Sequence, residues 1–170
     1  MSGAVERIRR AVAEALAPHA RTVLAVSGGP DSMVLLDAAA HAARGHASLV
    51  ATFDHATGPH SGAAAELVER AAESLRLPVL VGRAALPGPG AGETEWRRAR
   101  WRFLRHAAAE LDARIVTAHT RDDQVETVLM RAMRGAGPRG LAAMYADSPV
   151  VRPLLAASRA EVESYVRERG

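Results

Sequence analysis

Along the 170-residue chain, apolar positions fall into two arrangements that alternate. Short β-branched runs occupy 22–26, 48–54, 78–81, 114–118 and the neighbourhood of 150–151. Longer stretches, in which apolar residues recur every three or four positions, occupy 1–17, 33–44, 63–77, 93–110, 123–134 and 158–169. The first kind predicts strands and the second helices. Glycine and proline punctuate the pattern at Gly45, at Gly58, Pro59 and Gly62, and at Gly135 through Pro138. The glycine- and proline-rich run 87–92 excludes regular structure and is expected to border a site. Strands alternating with long helices need right-handed crossovers, so the expected fold is α/β: a doubly wound, mainly parallel five-stranded sheet with helices on both faces. With no repeat or linker in view, residues 1–170 are expected to form one domain, large enough to bury roughly 70% of its unfolded surface.

Composition narrows the chemistry. The chain has no cysteine, which excludes disulfides, thiolate metal sites, iron–sulfur clusters and cysteine nucleophiles. Residues 1–17 mix Glu6, Arg7, Arg9, Arg10 and Glu14 with alanine and valine, an amphipathic helix rather than a signal peptide. No apolar run approaches the roughly 20 residues of a membrane span, so no membrane partner and a cytoplasmic setting are expected. The net charge is only +3 and all 22 basic residues are arginine. Residues 96–139 hold ten arginines against five acids, whereas 1–95 hold eight against ten. This asymmetry points to an anionic partner larger than a nucleotide, the alternative being a solvated arginine face.

Four groups of residues carry candidate chemistry. Ser27-Gly28-Gly29-Pro30-Asp31-Ser32 follows the first strand and opens a helix: the glycines bring backbone N–H groups close to an anion, Asp31 and Ser32 can cap the helix, and the positive helix end adds to the attraction. That describes a phosphate site, but not a Walker loop, which needs lysine. Asp54 and His55 end the second strand, where they can meet a ribose or base. On a helix, Arg97, Arg100 and Trp101 share one side and Arg98, Arg102 and Arg105 another, so the arginines divide between a site and water. Finally, Asp122, Asp123 and Glu126 crowd three carboxylates into one turn. Asp123 and Glu126 can be part of a capping box, yet the repulsion also suits a magnesium ion bridging phosphates. His119, just before them, is a candidate base or phosphate contact. Three of these sites lie at strand carboxyl ends, where doubly wound sheets bind ligands.

The hexapeptide Ser27–Ser32 resembles the pyrophosphatase loop of the N-type ATP pyrophosphatases. Together with Asp54-His55, Arg97-x-x-Arg100-Trp101-x-Phe103-Leu104, Ala118-His119-x-x-Asp122-Asp123-Gln124-x-Glu126-Thr127, Arg134-Gly135-x-Gly137-x-x-Gly140-Leu141-x-x-Met144 and Arg152-Pro153-Leu154-Leu155, it resembles the N-terminal catalytic domain of the tRNA(Ile)-lysidine synthetases, in order from about residue 21 to 168. The resemblance implies a Rossmann-like sheet of the adenine nucleotide alpha hydrolase type. It implies ATP and Mg2+ as cofactors, and free L-lysine and the CAU-anticodon tRNA(Ile) as partners, joined at C2 of the wobble cytidine with release of AMP and pyrophosphate; a homodimer is one oligomeric option. By the same resemblance Ser27, Gly28, Gly29, Pro30, Asp31, Ser32, Asp54 and His55 bind ATP, and Arg97, Arg100, His119, Asp123 and Glu126 are catalytic. Asp31 and Asp123 hold the metal, and Arg98, Arg131 and Arg134 meet RNA. Departures are Ala56-Thr57-Gly58, Thr120 and Trp101, where the family usually has Gly-Leu-Arg, often a second His, and Tyr. The family also continues past the equivalent of residue 170, usually into tRNA-binding domains, which are expected to be lacking here. Rival readings are an ammonia-dependent nucleotide synthetase or another tRNA-modifying relative, thiolation being disfavoured without cysteine, and a nucleotide-binding module without turnover.

Overall fold

In the computed structural model, residues 3–56, 59–84, 92–137 and 149–169 are described. The elements in chain order are α1 (Ala4–Leu16), β1 (Thr22–Ala25), α2 (Pro30–Ala42), β2 (Ala47–Asp54), α3 (Pro59–Ser74), β3 (Val79–Arg83), α4 (Glu93–Glu110), β4 (Arg114–Thr117), α5 (Arg121–Met133), β5 (Val150–Val151) and α6 (Arg159–Arg169). The five strands are all parallel in the order β3-β2-β1-β4-β5. This is the expected doubly wound sheet. Its order reverses direction between β1 and β4, which opens a crevice at their carboxyl ends.

Period-two alternation along the strands divides the core in two. Leu24, Val50 and Val116 face α1, α2, α3 and α6, packing against Ile8, Val12, Leu16, Leu35, Val68 and Val162. Val23, Ala51 and Ile115 face the opposite way, against Leu104 and Ala108 of α4. Small residues on β2 and α4 let this second layer approach closely, and its burial aims the first turns of α4 at the crevice.

Boundaries shift from expectation by a few residues. Helix α2 begins at Pro30 rather than 33 because proline, with its fixed φ and missing N–H, suits the first helical position. Helix α3 likewise starts at Pro59 instead of 63, and β3 extends to Arg83. Of the expected irregular run 87–92, only Gly92 is described, as the residue preceding α4. Thr57, Gly58, Gly140, Leu141 and Met144 lie outside the described residues.

Candidate active site

The turn from β1 to α2 sets the geometry. Gly28 has φ +86°, and a Cβ there would sit 3.0 Å from the Ala64 carbonyl oxygen on α3, so both backbone and packing demand glycine. Gly29 precedes α2 and provides no side-chain cap. The expectation that Asp31 and Ser32 cap this helix is therefore corrected: with Pro30 at the first position, both lie inside the first turn. Ser32 is buried, and its Oγ donates to the Gly29 carbonyl (2.8 Å) while accepting the Ser27 N–H (3.2 Å). It braces the loop. Meanwhile the N–H groups of Gly28, Gly29, Asp31 and Ser32 have no acceptor among the described residues. An uncapped helix start with a glycine turn in front of it offers converging donors to an anion.

The other two helix starts nearby are closed by their own side chains. Thr120 and Asp123 form a reciprocal box on α5: Asp123 Oδ2 accepts from the Thr120 N–H (2.7 Å) and Oγ1 (3.0 Å), and Thr120 Oγ1 accepts from the Asp123 N–H. Ser158 and Glu161 do the same on α6. Asp122 leaves its own helix to accept the Arg159 N–H (2.7 Å), and the Arg121 N–H donates to Ala157 O (2.9 Å), knitting the two starts together. The crowded acidic turn thus resolves into separate duties: Asp123 caps, Asp122 ties α6, and Glu126 is exposed. The box partner is Asp123, not Glu126. Among the described residues no group of three metal-binding side chains gathers.

Two carboxylates still face the anion site. Asp31 is half-buried with no hydrogen bond to its carboxylate among the described residues; burial raises its pKa, and the nearby charges of Asp123 and Asp122 raise it further, with Arg159 opposing. Asp123, whose charge acts on Asp31, has no hydrogen bond to Oδ1 among the described residues. A pair of hard oxygen donors next to a phosphate cradle fits a hydrated divalent ion such as Mg2+, which binds through one or two carboxylates plus substrate phosphates.

The other half of the crevice is a pocket of about 270 Å3. Ala25, Ala51, Thr117 and Leu104 form part of its wall, with Phe53, His55, Ser61, Arg100, Trp101 and His119 also lining it. Phe53 lies edge-on to His55 (centroids 5.2 Å apart) and packs on Phe103. Gly82 makes room: a Cβ there would fall 2.7 Å from the Phe103 ring and 2.8 Å from Phe53. Burial, then repulsion from Arg100, pushes the His55 imidazole down, against the pull of Asp54. His119 is lowered by burial first and by Arg152 next, and its Nδ1 lies 2.8 Å from Thr117 Oγ1, which leaves Nε2 as the other nitrogen. Both surroundings favour the neutral imidazole over the charged one.

Asp54 sits differently from expectation. Its Oδ1 accepts from Ser61 Oγ (2.6 Å) and the Ala56 N–H (2.8 Å), and Oδ2 pairs with Arg83 at 3.2 Å. These bonds hold its pKa down, and they engage the carboxylate as a brace for Ser61 and the left-handed Ala56 (φ +54°). Arg100 reaches the pocket, and burial lowers its pKa, as does neighbouring Arg97. Arg97 is exposed yet close enough to act on Arg100 and His119. Arg98, Arg102, Arg105, Arg131 and Arg134 are all exposed, with Arg98, Arg102 and Arg105 on the α4 side away from Arg100. Sequence reading missed Ser61, Phe53 and Thr117. None carries a local signal, because each matters only through what it touches across the crevice.

The PP-loop domain family matches residues 2–170. The chain is similar to tRNA(Ile)-lysidine synthases: 46% identical over 151 residues to that of Rhodopseudomonas palustris (82% of this chain, 44% of that protein). Identity is 42% over 173 residues with that of Salinispora tropica (94% and 52%) and 41% over 161 with that of Thermus thermophilus (91% and 31%). The chain thus spans about half or less of the length of these relatives. Among solved structures it resembles the U34-tRNA thiolase NcsA of Methanococcus maripaludis (TM-score 0.78, 13% identity, 96% of this chain and 63% of that one). It also resembles the NH3-dependent NAD synthetase of Campylobacter jejuni (TM-score 0.63, 13% identity, 98% and 72%). At such identities the likeness concerns the fold.

Proposed function

The chain belongs to the PP-loop domain family, and from that premise we propose that it carries the ATP-dependent chemistry of a lysidine synthase: ligation of L-lysine to C2 of the wobble cytidine, position 34, of the CAU-anticodon tRNA(Ile). The observation that carries the reading is the lysine-free Ser27–Ser32 turn, whose free N–H groups open the crevice while Arg100 and His119 line its far wall. Such a cradle grips a departing pyrophosphate, whereas the cations beside the pocket lie where an α-phosphate would gain charge. The similarity to lysidine synthases supports the choice of tRNA and lysine over the ammonia-dependent rival.

In this reading the adenine and ribose occupy the pocket beside Phe53 and His55. The cytidine O2 attacks the α-phosphorus, the bond to the bridging oxygen of the β-phosphate breaks, and pyrophosphate leaves. Lysine then attacks C2 through its neutral amine, and AMP departs with the former carbonyl oxygen. Arg97 and Arg100 offset charge at the α-phosphate. Neutral His119, held through Nδ1, is suited to take the ammonium proton at Nε2, with Glu126 the second candidate. Asp31 and Asp123 would hold Mg2+, which when bound neutralises phosphate charge.

Turnover of α-labelled ATP with tRNA(Ile) and L-lysine is expected to yield AMP and one lysine per tRNA. ADP as the main product would overturn α–β cleavage. Lysine replaced by ammonia without loss of rate would favour the nucleotide-synthetase rival.

A further inference from the structure

Strand β4 ends against the imidazole that the proposed reaction uses. Side chains alternate along the strand: Val116 faces one layer of the core, while Ile115 packs in the other with Leu104 and Ala108 of α4. Thr117 therefore points to the α4 side, where it is buried and lines the pocket together with Arg100, Trp101 and Leu104. Two residues on, His119 lines the same pocket, with its Nδ1 2.8 Å from Thr117 Oγ1. The main chain on either side is fixed, by the pairing of Thr117 with Ala25 on β1 and by the Thr120–Asp123 box. One hydroxyl is left to set the rotation of the ring and the place of its proton.

We propose that Thr117 is a positioning residue for His119: its Oγ1 accepts from Nδ1–H, so that the neutral ring keeps its proton on Nδ1 and turns the lone pair of Nε2 to the pocket. The inference deepens the proposed function and rests on it for the use of that lone pair. In a neutral imidazole the hydrogen bond at one nitrogen decides what the other can do. A hydroxyl can donate or accept, and the surroundings decide between the two. Arg97, Arg100 and Arg152 act on His119 and are donors only. Among the described residues the one carboxylate that acts on it, Asp123, has Oδ2 engaged by Thr120. Asp31 and His55 line the pocket as well. A lone pair facing such donors, and an incoming ammonium, is better placed than an N–H. In the proposed reaction Nε2 takes one proton from the ammonium of lysine, and the amine so freed forms the bond to C2 as AMP leaves with its oxygen. The ring is then an imidazolium, and its Nδ1–H bond to Thr117 strengthens with the charge.

The test compares wild type, Thr117→Val, which keeps the shape and loses the hydroxyl, and Thr117→Ser, which keeps the hydroxyl. Nitrogen-15 NMR of the ring nitrogens, with His119 assigned by the loss of its signals in His119→Gln, reads the tautomer without substrate. Wild type and Thr117→Ser are expected to carry the neutral-state proton on Nδ1, and Thr117→Val a mixture of both tautomers. In turnover with ATP, tRNA(Ile) and L-lysine, Thr117→Val is expected to lose about tenfold in kcat at unchanged KM for ATP, a part of the roughly hundred- to ten-thousandfold that a positioned base supplies. Its acid limb of kcat should move to lower pH, because the Nδ1–H bond favours the imidazolium and its loss lowers the pKa of the ring. Thr117→Ser should recover most of the rate. A wild-type proton on Nε2, or an acid limb that moves to higher pH in Thr117→Val, would overturn the proposal by making Thr117 the donor. Equal tautomers and equal kcat in wild type and Thr117→Val would overturn it too. A wild type that shows the Nδ1 tautomer but ligates no lysine would overturn the proposed function and leave the Thr117–His119 pairing standing.

Discussion

At the scale of single residues, Asp123 has two duties that substitution can separate. Its Oδ2 caps α5 through Thr120, while Oδ1 takes no hydrogen bond among the described residues and is the oxygen proposed to meet Mg2+. Asparagine keeps an oxygen that accepts from the Thr120 N–H but loses the charge, whereas alanine loses both. Asp123→Asn is therefore expected to abolish AMP formation with little change in stability. Asp123→Ala should abolish it and also cost about 1 kcal/mol, the usual loss for a helix cap. Denaturant titration of both variants beside ATP turnover checks this, and an active Asp123→Asn would reduce the residue to a cap. Gly28 is the second case. Alanine there must adopt φ +86° and push its Cβ against the Ala64 carbonyl at 3.0 Å. About 1–3 kcal/mol of destabilisation is expected, together with weaker ATP binding, because relief of the contact moves the loop N–H groups. Thermal melts with and without ATP read both effects.

At the scale of elements, three of the helices on one face of the sheet, α1, α2 and α6, meet at the carboxylate of Asp37. Asp37 on α2 accepts from the hydroxyl of Tyr165 on α6, from Arg9 on α1 (3.1 Å) and from Arg169 on α6 (3.1 Å). Burial would raise the Asp37 carboxyl, but the bonds from Tyr165, Arg169 and Arg9 outweigh it and hold it below its ordinary 3.8. Burial and the bond to Asp37 push Tyr165 up to about 12. A carboxyl whose folded pKa lies below its unfolded value contributes stability that is present above the unfolded value and lost as pH falls through the folded one. Asp37→Asn should therefore lower stability by about 1–3 kcal/mol at pH 7, and the gap from wild type should close as the pH drops below 3.8. Melting curves at pH 7, 4 and 3 measure it. A gap that does not narrow at all as the pH falls below 3.8 would mean that shape, not charge, holds the helices.

At the scale of the whole molecule, the arginine excess divides by position. Arg100 belongs to the crevice and Arg97 and Arg152 act on it, while Arg98, Arg102, Arg105, Arg131 and Arg134 are exposed. These exposed arginines are available to RNA phosphates, and each contact contributes to affinity through counterion release. The chain is expected to bind tRNA weakly, with a salt slope of only about three to five in log units. It should discriminate little between tRNA(Ile) with a CAU anticodon and a methionine tRNA with the same anticodon. Filter binding from low to high salt decides it, and a steep slope with strong preference would show a complete recognition surface.

The five parallel strands, the crevice at their ends and the loop were legible because they depend on local rules: β-branched runs, glycine turns and helical spacing declare themselves within a few residues, whereas the order of the strands was not read from the sequence. Element starts were less so, since Pro30 and Pro59 begin helices that apolar periodicity alone places later. Helix α5 shows the limit of pattern: Val125, Leu129 and Met133 repeat at helical spacing yet are exposed, while polar Gln124 is buried. The sequence by itself determined which side chains are available for chemistry, an arginine-only set of cations, no thiol, and acids beside the strand ends. Tertiary structure alone decided how those groups are spent. Asp54 and Ser32 become braces, and Asp122 a tie to Arg159 on α6, 37 positions away in the chain. The reason is that a carboxylate or hydroxyl is committed by whichever donor the fold brings within 3 Å, and spacing along a sequence carries no information about donors that arrive from another helix.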